Sequence, residues 1–461
     1  LILKTQAMQL LDLITIFIFA LGIVIMGLSF SGKGRNMKSF FAAGGAVPWA
    51  MSGLSLFMGF FSAGTFVVWG SIAYSLGWIA ISIQWTMAIA GFVVGFFIAP
   101  RWHKTSALTV AEYITRRLGV NTQKTYTYLF LFISLFTTGS FLYPVAKIVE
   151  VSTGMPLDLC ILLLGGFCIV YVAAGGLWAV VSTDVLQFII LTAAVLIVVP
   201  LSFGRVGGVV NFIESIPATY FNLVNGEYTI GFIIAFGVYN AIFLGGNWAY
   251  VQRYASVNSQ SSARKVGFLF GGLYVVSAVL WMLPPMIYRI VNPSLSTIDA
   301  EGAYLMMCKE VLPAGLLGLM LSGMVFATAS SLNATLNISS GVVTNDIFKR
   351  LFPQSSDKTL MRVARISTII FGLLAIIVAL LIPLMGGIVN VVISVAALTG
   401  VPLYLPIIWT LFSKRQTEYS VITTTLVSLG ANAFFKFITP LWGFGFNRAE
   451  EMIVGVAFPV F

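Results

Sequence analysis

Apolar runs of about 20 residues, the length at which an α-helix crosses the hydrocarbon of a bilayer, follow one another along the chain. They fall at 9–30, 47–73, 77–100, 126–149, 156–175, 182–204, 229–252, 266–288, 312–345, 365–384, 388–412, 419–438 and from 450 onward. Short polar or basic segments separate them. The pattern predicts an all-α transmembrane protein of about 13 spans. The last run, Met452 to Phe461, is too short to cross and reads as a span cut short. The first run follows LILKTQAMQ, with no small-residue cleavage site ahead of the basic SGKGRNMK, and reads as a retained span rather than a signal peptide.

Composition agrees. Of 461 residues 59% are hydrophobic and 9% charged, against roughly 25% charged in soluble domains. A net charge of +10 points to nucleic acid only when it lies on a soluble surface. Here 18 of the 25 Lys and Arg residues fall in one set of alternate loops, among them Arg101, Arg116, Arg253, Arg264, Lys349 and Lys414. By the positive-inside rule those loops are cytoplasmic, which places a multi-pass protein in the cell (inner) membrane with its N-terminus outside. The basic patches are topology signals, and no nucleic-acid partner is expected.

Two runs are interrupted by glycine. The second carries LFMGFFSAGTF, with Gly59 and Gly64 around Ser62, and the seventh carries YNAIFLGGNWAY, with Gly245 and Gly246 beside Asn240 and Asn247. A paired interruption at matching places is the pointer to a binding site in carriers built from inverted repeats. Five spans separate the pair, and an odd repeat length inverts the second copy. The expectation is one membrane transport domain over 1–461. Its core is a first repeat at 47–204 and an inverted second repeat at 229–412, with 9–30 and 413–461 peripheral. Unwound backbone at membrane depth survives only where it faces protein or a wet cavity, and its free carbonyls suit a hard cation such as sodium. An ion site is expected near Met58–Phe61.

The ninth run, LSGMVFATASSLNATLNISSGVVTNDIF, concentrates hydroxyls in a membrane helix and sets Ala327, Ser330 and Ser331 on one face. Isolated hydroxyls usually bond their own i−4 carbonyls or pack helices; paired serines here also fit an ion. With SFFAAGGAVPWAMSGLSLFMGFFSAGTF, GGLWAVVSTDVLQ, NWAYVQRYAS and FATASSLNATLNISSGVVTNDIF, nearly the whole chain resembles the sodium:solute symporter family. The resemblance implies a five-plus-five inverted-repeat core with an added first span. It also implies a sodium site made by carbonyls of Met58, Phe61 and Ala327 with the hydroxyls of Ser330 and Ser331. Members with a second sodium use an aspartate at the position of Asp184 and hydroxyls where Asn333 and Ala334 stand here. Asp184 is thus open to a second-ion role, with Asn333, or to structural pairing. Sodium is the expected coupling ion, with no other cofactor.

The solute is expected between the breaks at the midplane, held by Ser62, Thr65, Gln84, Asn240, Asn247 and Thr399 and walled by Phe60, Phe61, Trp85, Phe243 and Trp248. Sugar carriers of the family have polar or acidic side chains at the positions of Phe60, Gly64 and Thr65 and a carboxylate at that of Gln84. A hexose hydroxyl left unpaired in a dry pocket costs about 1–3 kcal/mol, which disfavours glucose or galactose. The arginine of sialic acid carriers falls near Thr137, and Lys147 is a poor substitute. Monocarboxylates and amino acids stay open, since half-helix N-termini can hold an anion.

Other features are structural. His103 sits in the basic loop RWHKTS, Glu112 precedes Arg116 by four residues as an ordinary helix pair, and segment 298–311 is an external lid or a packed connector. Cys160, Cys168 and Cys308 read as small buried hydrophobes without metal-ligand spacing. No phosphate loop, metal cluster or nucleophile-base pair appears, so no enzyme is expected. The function expected is sodium-coupled symport of a small organic solute across the plasma membrane by alternating access, with solute, sodium and bilayer as partners. The alternatives are the sensing membrane domain of a receptor and a proton-coupled carrier on the same scaffold.

Overall fold

The computed structural model describes residues 9–31, 47–107, 109–171 and 177–460. Its long elements are α1 (Leu10–Ser31), α2 (Trp49–Met58), α3 (Thr65–Leu76), α4 (Ile79–Lys104), α5 (Val110–Leu118), α6 (Val120–Thr153), α7 (Leu157–Tyr171) and α8 (Leu177–Arg205). They continue with α9 (Ile230–Gly246), α10 (Trp248–Ala255), α11 (Gln260–Val291), α12 (Ala303–Val311), α13 (Leu316–Val342), α14 (Asp357–Leu381), α15 (Ile388–Thr410), α16 (Glu418–Trp442) and α17 (Arg448–Val460). Among the described residues there is no strand. Among the described residues, seven helices are long and apolar enough to cross a membrane, or eight when α9 and α10, bent by 59° at their junction, are taken as one span.

Both expected interruptions are present. α2 ends at Met58 and the helix resumes beyond Ser62, in a π-helical turn over Thr65–Trp69. α9 ends at Gly246, and Asn247 stands extended before α10. Glycine sets the closest approach elsewhere in the bundle. A Cβ on Gly91 of α4 would lie 2.7 Å from the Gly271 nitrogen of α11, and one on Gly267 would lie 2.6 Å from the Gly95 Cα. The two helices therefore cross backbone to backbone, the small-residue packing that takes the place of a hydrophobic drive between helices in lipid.

The segment after α11 is a packed connector. Glu301 is 3% exposed; its carboxylate accepts the Tyr143 hydroxyl at 2.8 Å and the Ile388 N–H at 3.0 Å. It thereby joins the connector to α6 and to the start of α15. Burial pushes its carboxyl above the ordinary value, against the pull of the Ile388 N–H, the Tyr143 hydroxyl and Lys147.

α1 is held by hydrogen bonds. Asp12, 1% exposed, accepts the N–H groups of Gly315 at 2.7 Å and Gly318 at 2.9 Å. It thus caps the first turn of α13 from another helix. Gly318 is required there, since a Cβ would sit 2.4 Å from the Asp12 carbonyl oxygen. Asp12→Ala strands buried donors and is expected to cost about 1–3 kcal/mol. The loss is read as a lower unfolding temperature of the detergent-purified protein; an unchanged temperature would mean that the cap contributes nothing.

Candidate functional site

The two breaks face each other across a cavity of two adjoining chambers. The smaller, of about 90 Å³, is lined by Met58 and Gly59 from the first break, Asn247 from the second, and Ser331 and Thr335 from α13. Asp184 and Arg253 line it too. The larger, of about 180 Å³, lies beside it and shares Gly59, Thr137, Phe243, Tyr250 and Tyr404. Ser62, Thr65, Gln84, Asn240 and Thr399 supply polar groups to the larger chamber, and Phe60, Phe141, Phe236 and Phe243 supply walls. Among the described residues no charged side chain lines it.

Backbone bonds through the first break run from Gly59 to Ser55 and Leu56, from Phe60 and Phe61 to Phe57, and from Thr65 to Ser62. None of these bonds ends on the carbonyl of Met58, Gly59, Phe60 or Phe61, and that of Phe60 accepts the Thr65 hydroxyl instead. The break is pinned to α13 by the Ala63 N–H, which donates to the Thr328 hydroxyl at 2.8 Å. Thr328 itself donates to the Met324 carbonyl at 2.9 Å. One turn further, the Ser331 hydroxyl lies 3.4 Å from the Ala327 carbonyl, at the long limit of a hydrogen bond. Met58, Phe61 and Ala327 are buried, and Phe61 stacks on Trp281 at 4.7 Å. The side chains of Ser330 and Asn333 lie outside the described residues.

Asp184 is 3% exposed and paired. It accepts the Ser55 hydroxyl at 2.6 Å, and Ser55 in turn accepts from the Arg253 Nε at 3.1 Å. Arg253 is 7% exposed. This corrects its assignment to the cytoplasmic loop charges: it is part of a buried polar chain lining the smaller chamber. The structure brings a carboxylate from the run 182–204 and a guanidinium from just past the run 229–252 to that chamber, residues the sequence gave no reason to join.

Several expected polar groups already have partners. Thr65 donates to the Phe60 carbonyl, Thr399 to that of Val395 at 2.8 Å, and the Asn240 amide to the Thr86 hydroxyl at 2.8 Å. Asn247 caps α10, accepting the Ala249 N–H at 3.0 Å, and its amide reaches the Tyr404 hydroxyl at 3.3 Å. Gln84 differs: 2% exposed, it lines the larger chamber with its amide nitrogen unpartnered.

Trp85 does not line either chamber. Its indole N–H donates to the Val275 carbonyl of α11 at 3.1 Å and its ring meets Trp78. Neighbours on a helix point about 100° apart, and here that turn carries Trp85 toward α11 while Gln84 faces the chamber. Trp248 stacks face to face on Phe130 at 4.6 Å. The polar chamber residues not anticipated are the tyrosines 239, 250, 274 and 404 and Ser140. Tyr250 was accessible from the sequence, three residues past Asn247 on the same helical face. The cysteines 160 and 308 are free and buried, as expected; the side chain of Cys168 lies outside the described residues. The Glu112–Arg116 pair is present.

An all-helical bundle with two broken helices closing on a central cavity defines an integral membrane protein of the broken-helix class. Residues 40–427 match the model of the sodium:solute symporter family, and the chain belongs to that family, whose members are not enzymes. It is 28% identical to a sodium/glucose cotransporter of Vibrio parahaemolyticus over 93% of this chain and 86% of that one. It is 26% identical to sodium/myo-inositol cotransporter 2 of Mus musculus over 92% of this chain and 69% of that one. In structure it resembles a substrate-bound, outward-open Na+-coupled sialic acid symporter, with a TM-score of 0.82 at 21% identity over 98% of this chain and 96% of the other. At that identity the likeness establishes the fold.

A buried amide without a partner costs about 1–3 kcal/mol. Gln84→Leu is therefore expected to leave the unfolding temperature of the ligand-free protein unchanged or raised, while weakening solute affinity at least tenfold. Loss of stability in this variant would show that Gln84 has a partner within the protein instead.

Proposed function

We propose that the chain performs sodium-coupled symport of a small uncharged polar solute by alternating access. One sodium lies between the first break and α13, and the solute occupies the larger chamber. The reading rests on one observation above the rest: both helix breaks and the hydroxyl face of α13 open onto one cavity whose larger part carries no charged side chain among the described residues. The ion is assigned to the carbonyls of Met58, Phe61 and Ala327 and the hydroxyls of Ser330 and Ser331, a five-oxygen set of the kind hard cations take at broken helices. The paired state of Asp184 favours one sodium over two. The scaffold is read as about 13 spans around two inverted five-helix repeats, 47–204 and 229–412, with the N-terminus outside.

Neutral polar groups and aromatic walls set the substrate class. The Gln84 amide and the hydroxyls of Tyr239, Tyr250 and Tyr274 can bond hydroxyls or carbonyls, and aromatic faces can stack on the apolar face of a ring. The relatives named above carry sodium with glucose or with myo-inositol. A cyclic polyol or related neutral ring with fewer hydroxyls than a hexose fits this chamber better than a carboxylate. Against 100 mV one sodium contributes about 2.3 kcal/mol, and a tenfold gradient adds about 1.4. For a neutral solute that sustains accumulation of a few hundred-fold.

The test is thermal unfolding of the purified protein in sodium or potassium, across D-glucose, D-galactose, myo-inositol, L-rhamnose, amino acids, monocarboxylates and sialic acid. A neutral ring compound at 100 times its dissociation constant should stabilise by about 2.7 kcal/mol in sodium and much less in potassium. Stabilisation by a carboxylate alone would overturn the substrate class, and equal stabilisation in potassium would overturn sodium coupling.

A further inference from the structure

We propose that Asn432, on the C-terminal helix α16 and beyond the residues matched by the family, is a positioning residue for the larger chamber. Its amide holds the stretch of α15 that presents Thr399 and Tyr404. The inference rests on that chamber being the solute site.

The need for a donor is written in the sequence of α15. Residues Ala396–Gly400 form a π-helical turn, and Pro402 follows two residues later. Proline has no N–H. The Leu398 carbonyl thereby loses the partner four residues on, and the Ala397 carbonyl loses the one five residues on that a π turn would supply. In hydrocarbon no water replaces a lost donor, so a neighbouring helix must. Asn432, 4% exposed, does so: its Nδ2 donates to the Ala397 carbonyl at 3.1 Å and the Leu398 carbonyl at 3.3 Å, with the Gly455 carbonyl of α17 also at 3.3 Å.

Close contacts on either side leave the stretch little room. A Cβ on Gly455 would stand 2.2 Å from the Ala397 oxygen, so α17 lies hard against the turn. A Cβ on Gly400 would stand 2.1 Å from the Tyr239 ring, which itself lines the chamber. The turn is thus wedged between the peripheral helices and the chamber wall. Without the Asn432 donor the two carbonyls must seek other partners, and the wall bearing Thr399 and Tyr404 moves with them. Helices α16 and α17 therefore belong to the scaffold of the site.

Hydrogen exchange on the full-length purified protein tests this without any solute, so it fails independently of the substrate assignment. In Asn432→Leu, exchange across 396–406 should rise at least tenfold while that across 79–93 of α4 stays unchanged. Labelling of Thr399→Cys by N-ethylmaleimide should change at least tenfold in that background, and labelling of Gln84→Cys should not. Asn432→Asp, which keeps the size but not the amide donor, serves if the leucine variant does not fold. Pro402→Ala restores an N–H within α15 and should reverse the effect of either substitution. Unchanged exchange over 396–406, acceleration spread over the whole protein, or failure of Pro402→Ala to rescue would each overturn the proposal.

Discussion

In a bilayer every backbone N–H and C=O must find a partner inside the protein or face a cavity that supplies one. The regular helices of this chain meet that condition by themselves, which is why a charged fraction of only 9% suffices. The condition becomes informative where helices stop. At Met58–Phe61 the backbone ladder lapses, at Asn247 a helix ends and restarts, and at Pro402 an N–H is missing. Each place is handled differently: the first is anchored to α13 through Thr328 and opens toward the cavity, the second is capped by its own side chain, and the third is served by Asn432. The site is assembled from these interruptions.

The same constraint separates the ionic and neutral parts of the cavity. Asp184 and Arg253 line the smaller chamber and are linked through Ser55, so both charges sit within a hydrogen-bonded chain. The larger chamber has only neutral donors and acceptors among its described lining. An ion would complete the oxygen set by the first break without competing with the solute for a formal charge. On this account, coupling comes from both guests bracing the same broken segment: Met58 and Gly59 face one chamber, and Gly59, Phe60 and Ser62 face the other.

Much of this was legible in the sequence, and the reasons differ by residue. The helices fall on the apolar runs because 20 apolar residues have no other stable state in lipid. The breaks were marked by Gly59 with Gly64 and by Gly245 with Gly246; Gly246 is both the last residue of its helix and so close to Tyr404 that a Cβ would stand 2.6 Å from it. Gln84 and Thr399 were found because a polar residue in an apolar run is conspicuous. Trp85 was misplaced because large aromatic size does not reveal which way a helix is turned. Arg253 was misread because a positive charge near a span end looks the same in sequence whether it meets water or a buried serine hydroxyl that bonds a carboxylate. The tyrosines of the chamber, and the service of Asn432 to a distant proline, depend on tertiary neighbours that no local pattern encodes.

Equilibrium binding of radioactive sodium to the purified protein, with and without Ser331→Ala, tests the central claim most directly. The account predicts one saturable sodium per chain in the unsubstituted protein and its loss, or at least a tenfold weakening, in the variant. Sodium binding of undiminished affinity in a folded Ser331→Ala protein would contradict it and move the ion away from the contact between the first break and α13.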